Sequence, residues 1–180
     1  MHPLFASNRF TQAPISYDVL TTPSPTGHTI LDRNTRNPVP AHTLSQPATD
    51  PPMYSRLILT SDRFKWHVIV DTAPKFFLAG GRKPSHVAIT NLDVIEAIYR
   101  TLHTRVTQEE WVQLGTGSRA QRKATSAYTR RCEKMGGNPK EGVKRVDLLG
   151  EKTRFVGIEV DKNSSAPGGR LAKLVFGKAV

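Results

Sequence analysis

Residues 90–135, TNLDVIEAIYRTLHTRVTQEEWVQLGTGSRAQRKATSAYTRRCEKM, decide the fold class, because they contain three helix starts in succession. Thr90 with Asp93 and Thr107 with Glu110 have the capping-box spacing, in which a hydroxyl accepts from an orphan amide and a carboxylate sits in the positive first turn. Ser118 supplies a third N-cap, and Gly136 and Gly137 are fitting terminators. The first helix is predicted over about 91–103, with Leu92, Ile95, Tyr99 and Leu102 recurring on one face. A short second helix runs through Trp111 and Leu114. The third is predicted over 119–135. At 100° per residue its Ala120, Ala124, Ala127, Tyr128, Cys132 and Met135 share one arc, while Arg119, Arg122, Lys123, Arg130 and Lys134 share the other, with Glu133 beside them.

On either side of this block the period changes from helical to alternating. Residues 55–71 read as a β-hairpin: Leu57 and Leu59 alternate with Ile58 and Thr60, Ser61, Asp62 and Arg63 supply the turn, and Trp66, Val68 and Val70 alternate with Lys65, His67 and Ile69. Residues 79–85 (AGGRKPS) read as a loop, with a third short strand at His86 to Ile89. Beyond the helices, 143–148 and 153–160 read as strands about Gly150, and 171–176 as a last one after the flexible SSAPGG stretch. Strands, then helices, then strands imply an α+β fold, a mainly antiparallel sheet with about three helices on one face.

Composition divides the chain at Pro52. Nine of its 13 prolines and only three of its 26 basic residues lie before that point, where Asp18, Asp32 and Asp50 balance Arg9, Arg33 and Arg36. The formal net charge of +11 therefore belongs wholly to 53–180. Residues 1–52 are expected to be a Pro-rich, extended and largely irregular arm, with one short strand at 15–19 where Ile15, Tyr17 and Val19 alternate. Residues 53–180 are expected to be the compact basic domain. No apolar run approaches the roughly 20 residues a membrane helix needs, so membrane partners are not expected. A lone cysteine and the absence of a signal-peptide pattern suggest an intracellular protein, cytoplasmic or nuclear.

Several strings are distinctive together: ISYDVLTTP, LSQPATDPP, KWHVIV, VAITNLDVIEAIYRTLHTRVTQEEW, AYTRRC and GVKRVDLLGEKTRFVGIEV. They resemble a family of basidiomycete fungal proteins classified only as a domain of unknown function, number 6699. The resemblance covers about Ile15 to Val160. It implies a single compact intracellular domain behind a Pro-rich arm and carries over no catalytic residue, cofactor or substrate.

Read for chemistry, the residues point away from catalysis. The six histidines lack metal-ligand spacing, so no metal or cofactor is expected. His67 and His86 could converge with Asp71 or Asp62, the basis of a weaker expectation of a small hydrolase; satisfied surface histidines are the commoner case. Cys132 lies on the apolar arc and reads as a packing residue rather than a nucleophile. Glu109 and Glu110 read as first-turn capping residues. Neither a nucleophile elbow nor a phosphate loop is present. The leading expectation is a non-enzymatic module that binds a protein partner. The alternative is sequence-independent binding of DNA or RNA along the basic helix, through Arg119, Arg122, Lys123, Arg130 and Lys134, continued by Lys140, Lys144 and Arg145. Against it, specific RNA readers add exposed aromatics for stacking, and Trp111, Tyr128 and Phe155 read as core aromatics.

Overall fold

A computed structural model describes residues 1–8, 10–25, 28–71, 87–136, 138–166 and 169–178, without the side chains of 135, 161–166 and 169–171. Among the described residues the fold is α+β, with a mixed, largely antiparallel sheet of seven strands and with four α-helices. The strands are β1 (Ala6–Ser7), β2 (Ile15–Asp18), β3 (Ile30–Asp32), β4 (Arg56–Ser61), β5 (Phe64–Asp71), β6 (Arg154–Ala166) and β7 (Gly169–Gly177). The helices are α1 (Ala41–Leu44), α2 (Asn91–Leu102), α3 (Gln108–Gln113) and α4 (Arg119–Met135). The sheet order is β3-β2-β6-β7-β4-β5, with β1 added alongside β6.

The capping signals act as the sequence implies. Thr90 Oγ1 accepts from the Asp93 amide and Asp93 accepts from the Thr90 amide; Thr107 and Glu110 repeat the exchange, and Ser118 Oγ accepts from the Gln121 amide. α4 ends at Gly136 in the left-handed conformation, at φ 63°, which glycine adopts without a Cβ clash. The hairpin forms with Ser61 opposite Phe64. Along β5, Phe64, Val68 and Val70 are buried and Lys65, His67, Ile69 and Asp71 exposed, so α2 packs on one face and the other meets solvent.

Three expectations change. The segment 143–148 is not a strand: Arg145–Leu149 is a 3-10 turn, started by Asp147 accepting from the Lys144 amide at 2.8 Å. A carboxylate three residues past the turn's start captures the first amide, and that local bond outcompetes the alternating pattern. Residues 87–89 belong to no strand; Ile89 instead exchanges bonds with Ala48 and Met53. The expected loop at 79–85 and His86 lie outside the described residues.

The largest change concerns the first 52 residues, expected as an irregular arm. The one strand expected there, at 15–19, forms as β2, but β1, β3 and α1 form as well, and Phe5, Ile15, Tyr17, Ile30 and Leu44 stand among the most deeply buried side chains of the described residues. β1 runs parallel to β6 at Ile158 and Glu159, and β2 antiparallel at Arg154 and Phe155, so both occupy the same edge of β6 in turn. Proline excludes helix and central-strand interiors, but not two- to four-residue strands separated by turns. Gly157 lies between the two pairings at φ 144°. A Cβ there would stand 2.9 Å from the Cβ atoms of both Ser7 and Ala13. The N-terminal chain is thus pressed onto the one residue of β6 with no side chain. Gly157→Ala is expected to lower stability by about 1–3 kcal/mol, measured by urea denaturation. An unchanged midpoint would mean the segment is not held there.

Candidate functional site

α4 carries the basic face, and how it is attached determines what that face can do. Its neighbour is the 3-10 turn, and the attachment centres on a buried ion pair. Arg131 Nε and Nη2 donate to the two Asp147 carboxylate oxygens at 2.8 and 2.9 Å, with side chains 7% and 1% exposed. Nη2 also donates to the Gly142 carbonyl at 3.3 Å. This rotates the buried stripe of α4 away from the all-apolar arc. The stripe comprises Gln121, Ala124, Ala127 and Arg131, whereas Ala120 is exposed and Tyr128 and Cys132 are half-buried. Gln121 belongs there because its side chain donates to the Trp111 carbonyl and accepts from the Gly117 amide, both at 2.8 Å.

The eight basic residues singled out from the sequence separate into two groups. Arg119, Arg122, Lys123, Arg130, Lys134 and Lys140 are exposed. Arg130 lies 3.9 Å from Glu151, and Arg122 donates to the Gly117 carbonyl at the helix start. Lys144 and Arg145 are instead engaged within the fold. Lys144 Nζ pairs with Glu141 at 2.6 Å. Arg145 grips Glu110 through Nε at 3.0 Å and Nη2 at 2.6 Å. Glu110 is therefore more than a cap. Burial works to raise its pKa, but the Arg145 fork, the Thr107 amide and the Arg145 charge outweigh it and hold the carboxyl below its ordinary value.

Arg145 continues the chain of contacts to the sheet. Its guanidinium carbon stands 4.9 Å from the centre of the Trp66 ring, and Trp66 stacks on Phe64 at 4.7 Å with planes 4° apart. These two aromatics, with Leu114, Leu148 and Ala120, line a groove of about 660 Å³ between the β4–β5 turn and α3–α4. The charged lining consists of Asp62, Arg63, Lys65, Glu110 and Lys123. Asp62 is held by Lys173 at 2.6 Å and Glu110 by Arg145. Arg63, Lys65 and Lys123 form no ion pair among the described residues. The Trp66 indole N–H is buried and has no hydrogen-bond partner among the described residues. A second cleft, about 390 Å³, lies beside the other half of α4, where Arg130, Arg131 and Lys134 face Asp18, Asp147 and Glu151.

His67 is exposed on β5, Asp71 pairs with Arg56 at 2.8 Å, and His86 lies outside the described residues. Among the described residues no group of three His, Cys, Asp or Glu side chains is arranged to hold a metal, and no helix is long and apolar enough to cross a membrane. Of the three aromatics read as core, Phe155 is fully buried, and Trp111 and Tyr128 are half-buried. His103, at the end of α2, donates from Nε2 to the Val19 carbonyl at 2.9 Å and stacks on Tyr99 at 4.0 Å; burial, aided by Lys144 and Arg131, pulls its pKa below the ordinary value. The groove residues Trp66, Lys65 and Arg63 were present in the sequence as hairpin alternation and turn. Nothing in that pattern marked them as facing α4.

Fold and site together define a small α+β domain with a basic helix held by a 3-10 turn and an aromatic-lined groove between it and the β4–β5 hairpin. The chain belongs to the family of unknown function DUF6699, whose model matches residues 15–168. No curated protein and no solved structure matches it. The match begins at β2, inside the Pro-rich segment.

Arg131→Met would leave the Asp147 carboxylate buried without its counter-ion, and is expected to cost about 3–5 kcal/mol. Arg131→Met combined with Asp147→Asn, which removes the buried charge and keeps an acceptor for the Lys144 amide, should recover part of it. Chemical denaturation of both variants checks this; a single variant as stable as the parent would show that the pair does not hold α4.

Proposed function

We propose that this domain is a non-enzymatic interaction module whose partner is a protein, bound in the groove between the β4–β5 turn and α3–α4. The observation that carries the reading is the groove itself: its 660 Å³ lies within the range of ligand-binding clefts, with apolar walls and a few polar groups. Interface energy concentrates where aromatic and Arg side chains are rigid before the partner arrives, and here Phe64, Trp66 and Arg145 are already stacked. A photo-crosslinking residue placed at exposed Gln113, on the groove wall, should trap a reproducible protein adduct in the native cell. The same probe at His42, exposed on α1, should not. Leu114→Glu, and separately Lys123→Glu, should abolish the Gln113 adduct while circular dichroism remains native. Equal adducts at both positions, or none at Gln113, would remove the proposal.

A second reading, sequence-independent binding of nucleic acid, is favoured by one observation: Arg119, Arg122, Lys123, Arg130 and Lys134 are all exposed along about four turns of α4. Neutralising about five phosphates makes the log–log slope of affinity against salt about −3.5 to −4.5. Arg122→Glu, Lys123→Glu and Arg130→Glu together should abolish such binding to DNA or RNA. Binding that survives the triple reversal would exclude this face.

A further inference from the structure

We infer that the occupant of the groove is an acidic, extended segment of the partner protein, with an apolar side chain seated against Phe64, Leu114 and Leu148 and carboxylates meeting Arg63, Lys65 and Lys123. This deepens the interaction reading and rests on it. Charge complementarity carries it. Both acids in the lining already have basic partners, Asp62 with Lys173 and Glu110 with Arg145, so the uncompensated charge around the apolar floor is positive among the described residues. A basic or neutral segment would leave those three cations unmatched; an acidic one pairs with them.

Two other occupants fit less well. A second copy of this chain would bring another +11 to an already positive surface. A single-stranded nucleic acid has matching phosphates, but its bases gain affinity by stacking on a free aromatic face. Here the Trp66 ring is already stacked by Phe64 and covered by the Arg145 guanidinium, which Glu110 holds in place.

The test uses the full chain labelled with 15N, reading the Trp66 indole cross-peak, which Trp66→Phe identifies. The probes are three twelve-residue peptides with a central Leu-Phe pair flanked by Asp and Glu, by Asn and Gln, or by Lys, and a dT12 oligonucleotide. The acidic peptide is expected to shift the Trp66 signal and to bind about tenfold or more tightly than its neutral analogue. Lys65→Glu with Lys123→Glu, both exposed positions, should erase that preference. If the neutral peptide binds equally well and moves Trp66, the acidic class is wrong while the groove reading survives. If dT12 moves Trp66 and the acidic peptide does not, the occupant is nucleic acid and the inference is overturned. If no probe moves Trp66, both this inference and the groove reading fail.

Discussion

The arrangement of α4 depends on the Arg131–Asp147 pair. Taking two charges out of water is costly, and their mutual attraction compensates only when the remaining hydrogen-bonding positions are also filled. Here they are filled from three directions: two bonds from the guanidinium, one from the Lys144 amide, and the Gly142 carbonyl accepting from Arg131. The same carboxylate therefore starts the 3-10 turn and anchors the helix. That turn is short, so its direction is set at Asp147, and with it the position of Arg145. From Arg145 the contacts pass to Glu110 at the start of α3 and to Trp66 on β5. One buried ion pair thus fixes both walls of the groove relative to each other.

The sheet supplies the rigid side of the arrangement. β6 is its organising strand, with β7 on one edge and β2 and β1 sharing the other. Because β4 joins β7 in parallel, the β4–β5 hairpin is carried on a strand more than 100 residues away in the sequence, and the groove lining is drawn from separate segments between Ser61 and Leu148. The Pro-rich N-terminal residues complete this core. Tyr17 lies fully buried against it, its phenol pushed up in pKa by burial first and by neighbouring Tyr99 and Asp18, and its hydroxyl donates to the Thr21 carbonyl.

Local signals in the sequence were legible where local physics dominates. Capping boxes at Thr90 and Thr107 and the glycine after α4 act within four residues, and the hairpin is set by one turn and its alternation. What escaped was long-range or polar. The pairing of β1 with β6 and of β4 with β7 leaves no imprint on any single window. Arg131 and Asp147 are charged, and a periodicity argument assigns charged residues to solvent; each is buried only because the other is present. The same blindness turned RVDLL into a strand, since alternation of Val146 and Leu148 with polar neighbours does not reveal that Asp147 captures the Lys144 amide. The groove was invisible for the same reason: Lys65 and Trp66 read correctly as hairpin residues, but their neighbours come from α3, α4 and the 3-10 turn.

The net charge illustrates how structure changes the meaning of a composition. An excess of +11 located after Pro52 first suggests a polyanion, because many exposed cations act together on a phosphate backbone. In the fold, cations serve at least three separate purposes. Arg131 lies in the interior, and Lys144 and Arg145 brace the 3-10 turn and α3. The exposed cations of α4 remain, and of these Lys123 lies on the groove, where Arg63 and Lys65 join it from the hairpin. A charge on a convex helix is screened over about 8 Å at physiological salt, whereas one beside a low-dielectric apolar wall retains more of its field. Under the proposed groove reading, the three cations beside the aromatic floor would therefore contribute more to selecting a partner than those spread along the helix.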